Sequence, residues 1–169
     1  MNEAWFDFIK LAKQTLAKGQ VIDISYSNIQ LLFEPSFSNE IFLQLAWKTK
    51  EVNWYRTTWG KLSDSPKFND VMESLKYIGR KILPTITMET GTINISELNP
   101  ILEAMRRASI KPRVEQRAGI TIDGSRFTLT FGVVDLQTTY KWHTLPKEWK
   151  ALEEVAYLIL ALNDKLKNN

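Results

Sequence analysis

Two stretches of the chain repeat one order of elements, and that order restricts the fold more than any single residue does. Residues 51–78, EVNWYRTTWGKLSDSPKFNDVMESLKYI, pass from an aromatic, alternating segment to a proline and then to an amphipathic pattern. Residues 138–159, TTYKWHTLPKEWKALEEVAYLI, do the same through Tyr140, Trp142, Pro146 and Trp149. Side chains alternate with period two along a strand and recur with period 3.6 along a helix, so each stretch reads as strand then helix. The implied class is α+β: antiparallel sheets with helices packed on one face, built as two fused αβα-type repeats. The first unit covers residues 1–84 and the second 85–169, within one compact globule.

The remaining patterns fill in this order. Trp5, Phe8, Ile9, Ala12 and Leu16 line one side of a helix over residues 4–18. Residues 21–26 and 29–33 read as short strands, and residues 40–48 as a longer one that aligns Ile41, Leu43, Leu45 and Trp47. Ser65-Pro66 has the form of a helix start, followed by Phe68, Val71, Met72, Leu75 and Ile78 on a buried face. TITM and TINI flank Glu89-Thr90-Gly91, which suits a small hairpin. Ile101, Leu102 and Met105 turn inward on a helix over 97–108, with Pro100 in its first turn. Asp123-Gly124 supplies the turn residues of a second hairpin, in GITIDGSRFTLTFGV. The last helix opens at Pro146 and buries Trp149, Leu152, Val155, Ala156 and Ile159.

Composition narrows the chemistry. An apolar fraction of 44% and a charged fraction of 24% over 169 residues are enough for one sizeable core. The chain has no cysteine, which removes disulfides, thiolate catalysis and every cysteine-containing zinc site; a reducing cytoplasm is the simplest setting. The N-terminus carries charges where a signal peptide would be apolar, and VAYLILAL (155–162) is too short to span a bilayer. The net charge of +3 divides into +2 for residues 1–84 (11 basic, 9 acidic) and +1 for residues 85–169 (11 basic, 10 acidic). Neither half has the excess of a nucleic-acid-binding domain.

Chemistry-bearing motifs are sparse. His143, the single histidine, has no HxH or HExxH neighbours, and alternation with Tyr140 and Trp142 turns it toward solvent. Glu148, Glu153 and Glu154 fall on a helix surface, where they suit the positive N-terminal end. A hydrolytic carboxylate pair is an alternative that no spacing selects. The seven glycines form no phosphate-binding loop, and no cofactor is implied. The strongest charge feature is RRASIKPRVEQR (106–117), with Arg106, Arg107, Lys111, Arg113 and Arg117 against Glu115. It reads either as a basic patch for nucleic acid or an acidic partner, or as a helix C-terminus followed by a charge-guarded edge strand. Among the six tryptophans, Trp5, Trp47 and Trp149 fall on apolar faces. Trp54 and Tyr55 point to opposite sides of one strand, so one leaves the local core, next to Arg56.

Residues 126–160 carry an alternating strand, a Thr-rich strand ending in an aromatic pair, then Leu-Pro-x-x-Trp and a helix. Through Tyr140, Trp142, Pro146, Glu148, Trp149 and Leu152, this fifth of the chain resembles the C-terminal part of small uncharacterised bacterial proteins. Several of these lie beside toxin genes and are regarded as immunity proteins. Those relatives often have two adjacent tryptophans where this chain has Trp142-His143. The resemblance implies a binding role and brings no catalytic residues. The expectation is a non-enzymatic bacterial protein-binding module of immunity or adaptor type. Trp54, Arg56, Arg106, Arg107, Arg113 and Lys141 are its expected contacts, since exposed aromatics and arginines dominate interfaces. The alternatives are nucleic-acid binding through residues 106–117 and a small hydrolase.

Overall fold

The computed structural model describes residues 3–18, 27–66, 83–108, 124–133 and 136–167. Its strands are β1 (Ser27–Pro35), β2 (Glu40–Trp47), β3 (Glu51–Trp59), β4 (Ile86–Asn94), β5 (Ser125–Val133) and β6 (Leu136–Trp142). All six belong to one antiparallel sheet in the order β4-β3-β2-β1-β5-β6. Strands β1 to β4 form a meander, and β5 returns to the open side of β1 in the manner of a Greek key. The described helices are α1 (Glu3–Lys18), a single turn α2 (Lys61–Asp64), α3 (Asn99–Arg107) and α4 (Lys150–Lys167). None is long and apolar enough to cross a membrane. The α+β class read from the sequence is the class of the fold, and the sheet takes strands from both halves of the chain.

Strand alternation divides the core in two. Ile29 and Leu31 of β1, Leu43 and Leu45 of β2, Val52 of β3, Leu129 of β5, and Tyr140 and Trp142 of β6 pack with Ile101 and Ala104 of α3 and Leu152, Val155 and Ile159 of α4. Phe42 and Trp59 point to the opposite face, where they meet Phe8, Ala12 and Leu16 of α1. The sheet therefore has α3 and α4 on one face, and α1 adds a further layer on the other. This explains why β2 is buried at nearly every position rather than at alternate ones.

Three local expectations change. TITM and TINI form no hairpin: β4 runs straight through Gly91, paired with β3 along its whole length. The glycine lies opposite Trp54, and a Cβ there would come within 2.8 Å of the indole, so its bareness makes room for that ring. The partners of β5 are β1, paired from Ser125 to Gly132, and β6, paired from Phe127 to Val133, so its central residues have no free edge for a preceding strand. Gly124 is fastened instead to Ser36, whose Oγ donates to its carbonyl at 2.5 Å. Ser65 does not have the extended backbone of an N-cap: it is helical at the end of α2, and its hydroxyl donates back to the Lys61 carbonyl at 2.7 Å. The expected strand at 21–26, the helix over 68–78 and the segment 119–122 lie outside the described residues.

Under α1 the sheet buries charge. Glu34 pairs with Lys13, and Glu40, 2% exposed, pairs with Lys61 at 3.3 Å. The Lys61 ammonium also donates to the Pro35 carbonyl. The second oxygen of Glu40 is buried without a partner. Burial raises the Glu40 carboxyl above the usual carboxylate range, against the pull of Lys13 and Lys61. The unfolded chain thus ionises this group at a lower pH than the folded one does. Above the folded value the protein carries a buried charge at a cost, and acidification toward the ordinary glutamate range removes that cost. Glu40→Gln should therefore be most stabilising near neutral pH. Its advantage over the unsubstituted chain should shrink as pH falls, read from urea midpoints between pH 7 and 4.5.

Candidate protein-binding surface

The structure separates the six expected contact residues. Arg56 is 3% exposed and directed inward, so it offers nothing to a partner. It lies in β3 on the face covered by α4. Its Nε donates to Glu89 Oε2 at 2.7 Å, and its Nη1 donates to the Asn163 carbonyl at 3.2 Å. That carbonyl lies one turn from the C-terminus of α4, where the Arg56 donor adds to the helix's own hydrogen bonding. Trp54, half-buried against the main core, lies 5.8 Å beneath the same guanidinium. Its contacts are with the main core and with Arg56. Arg56 in turn lowers the Glu89 carboxyl below its usual range by hydrogen bonding to it. Lys141 is exposed, but alternation with Tyr140 and Trp142 puts it on the face opposite α3 and α4. Arg113, like Lys111 and Arg117, lies outside the described residues.

Arg106 and Arg107 remain exposed and adjacent. Asn94 Oδ1 accepts from Ser96 N at 3.0 Å and starts the 3₁₀ turn Ile95–Leu98. Pro100 then sits in the first turn of α3, where its missing N–H costs nothing. Ile101 and Ala104 anchor the helix, and the two arginines fall in its last turn, where the dipole favours cations. α3 packs beside α4, and ion pairs tie α3 and the 3₁₀ turn before it to the outer side of α4. Arg107 Nη2 meets Glu154 Oε1 at 2.9 Å, and Lys165 meets Glu97 at 2.5 Å. All four side chains are well exposed, so each pair contributes under about 1 kcal/mol.

Along α4 the outward positions Lys150, Ala151, Glu153, Glu154 and Tyr157 line an open groove of about 510 Å³. Tyr157 is 59% exposed. The buried positions 152, 155, 156 and 159 define the opposite side of the helix, so Tyr157 is an aromatic residue on a polar stripe. That offset was readable from the helical period, and it is the signal that the tryptophan-centred reading passed over. The groove is lined by the Lys150 ammonium, the Glu153 and Glu154 carboxylates and the amphipathic Tyr157 ring, and Arg107 reaches its side through Glu154. Such a surface can hold a polypeptide through stacking and charge-assisted hydrogen bonds.

His143 departs from its expected place. β6 ends at Trp142, so alternation no longer orients the next side chain, and the histidine turns partly inward with its Nδ1 buried and unpaired. Among the described residues no three of His, Asp and Glu converge closely enough to hold a metal ion. No family model matches the chain, and no curated protein matches it in sequence.

Proposed function

We propose that the chain is a bacterial, cytoplasmic protein-binding module of immunity or adaptor type that acts by occluding its partner and performs no chemistry. The observation that carries this reading is the outer side of α3 and α4. There an exposed Tyr157 stands in a groove lined by Glu153 and Glu154, with Arg107 paired to Glu154 and Arg106 exposed next to it in the last turn of α3. Tyrosine and arginine are the residue types that most often supply binding energy at interfaces.

The partner under test is the product of a neighbouring toxin gene. Coexpression of this chain should restore growth to cells making that product, and the two should copurify. Tyr157→Ala should weaken the complex by about 2 kcal/mol, a loss of roughly thirtyfold in affinity. The thermal midpoint of the variant should not change, because the ring is exposed. Rescue by a chain carrying both Tyr157→Ala and Arg106→Glu, at undiminished affinity, would refute the surface. The nucleic-acid alternative predicts oligonucleotide binding at low salt that falls steeply as salt rises. Arg107 is already paired with Glu154, which reduces the charge available for that role.

A further inference from the structure

The sheet ends at β4 on one side and β6 on the other, with no further strand among the described residues. An edge strand presents a row of unpaired N–H and C=O groups, and proteins usually guard it with charge, proline or a bulge. β6 has little of this protection. Leu136, Gln137, Thr138 and Thr139 are all exposed, none is charged, and Lys141 is the strand's one ionised residue. Leu136, at 78%, is an exposed large apolar side chain at the start of that edge, and its ladder neighbour Val133 is also exposed. β4 differs: it has Glu89 at its centre, held by Arg56, and the bare Gly91 beside it.

From this we infer that the protein forms a two-fold dimer by antiparallel pairing of β6 with β6 of a second copy. The register that fits best is centred on Thr139. It sets Thr139 against the Thr139 of the second copy, Thr138 against Tyr140, Gln137 against Lys141, and Leu136 against Trp142. Alternation keeps each opposed pair on one face: Leu136 with Trp142 and Thr138 with Tyr140 on the side of α3 and α4, and Thr139 with Thr139 and Gln137 with Lys141 on the other. No like charges are opposed. A two-fold contact of this kind is isologous and closed, so it stops at two copies and joins two six-stranded sheets into one. It uses the strand edge and not the groove on α4, so it stands or falls independently of the protein-binding reading above.

The absence of cysteine makes the test clean. A residue on the two-fold axis faces its own copy at about 5 Å between Cβ atoms, within reach of a disulfide. The single-cysteine variant Thr139→Cys should give a covalent dimer on mild oxidation, seen on a non-reducing gel, and Thr90→Cys on the β4 edge should not. Light scattering of the unsubstituted chain at tens of micromolar should give twice 19.6 kDa. Thr139→Lys sets two ammonium groups together on the axis and should return the mass to that of one chain, with an unchanged circular dichroism spectrum. A single-chain mass at every concentration would overturn the inference. So would cross-linking through residue 90 in place of 139, or a Thr139→Lys chain that stays dimeric.

Discussion

Asp64→Ala should lower the unfolding free energy by about 2–4 kcal/mol, the largest effect expected of a single polar truncation here. The Asp64 carboxylate is fully buried at the end of α2. It accepts from Trp59 Nε1 at 2.9 Å, from the Thr85 backbone N–H at 2.8 Å and from Thr85 Oγ1 at 2.7 Å. These bonds tie the exit of β3 to the entry of β4, and Gly60 N–H adds a further bond to the Thr85 carbonyl at 2.8 Å. The two Thr85 donors lie on an exposed residue, so water can replace the carboxylate for them. The indole N–H cannot be rescued in that way, because Trp59 is 0% exposed. Most of the loss therefore falls on the Trp59 bond. A double-mutant cycle of Asp64→Ala with Trp59→Phe should give a coupling of about 1–3 kcal/mol. Additive effects would show that the staple contributes little.

Arg56→Met should cost about 2–3 kcal/mol in chemical denaturation, although the residue takes no part in the candidate surface on α4. Methionine keeps much of the side-chain volume and removes both donors. Glu89 has a side chain 48% exposed and returns to water at little cost. The Asn163 carbonyl loses its donor from β3, which ties the C-terminal end of α4 to the sheet. Amide exchange should therefore accelerate selectively in the last turn of α4. The pH dependence should change as well. Glu89 is held below its usual range, so its contribution is present above that range and is lost on acidification. Arg56→Met should remove this component and leave the opposite trend of Glu40 on the other face.

Local patterns carried much of the fold. The alternation in β2, β3 and β5 and the apolar sides of α1, α3 and α4 were readable because each is set by neighbours in sequence. What escaped was tertiary. Glu89-Thr90-Gly91 has turn chemistry, yet it became mid-strand because Trp54, more than thirty residues earlier, occupies the space above the glycine. Asp123-Gly124 has hairpin chemistry, yet β5 is claimed on both edges, one of them by β1 from the far end of the chain. Arg56 read as a contact residue because arginine is usually exposed. Only the approach of the α4 C-terminus supplies the carbonyl that makes burying it tolerable. The candidate surface was half legible: Arg106 and Arg107 stood out by charge, and Tyr157 was hidden among apolar neighbours whose helical phase had to be counted.

The return of β5 to β1 has a consequence for the order of assembly. β1 is an interior strand of the finished sheet, but its partner on that side is synthesised roughly a hundred residues later. During translation β1 to β4 can close their meander from contacts between successive strands. The chain then holds a half-built sheet whose apolar face still lacks β5, β6 and α4. Closing the longest loop last is slow, and until then the bare side of β1 is a template for any strand that passes. Fragments ending before residue 124 should be the most prone to stick to one another and the most dependent on chaperones.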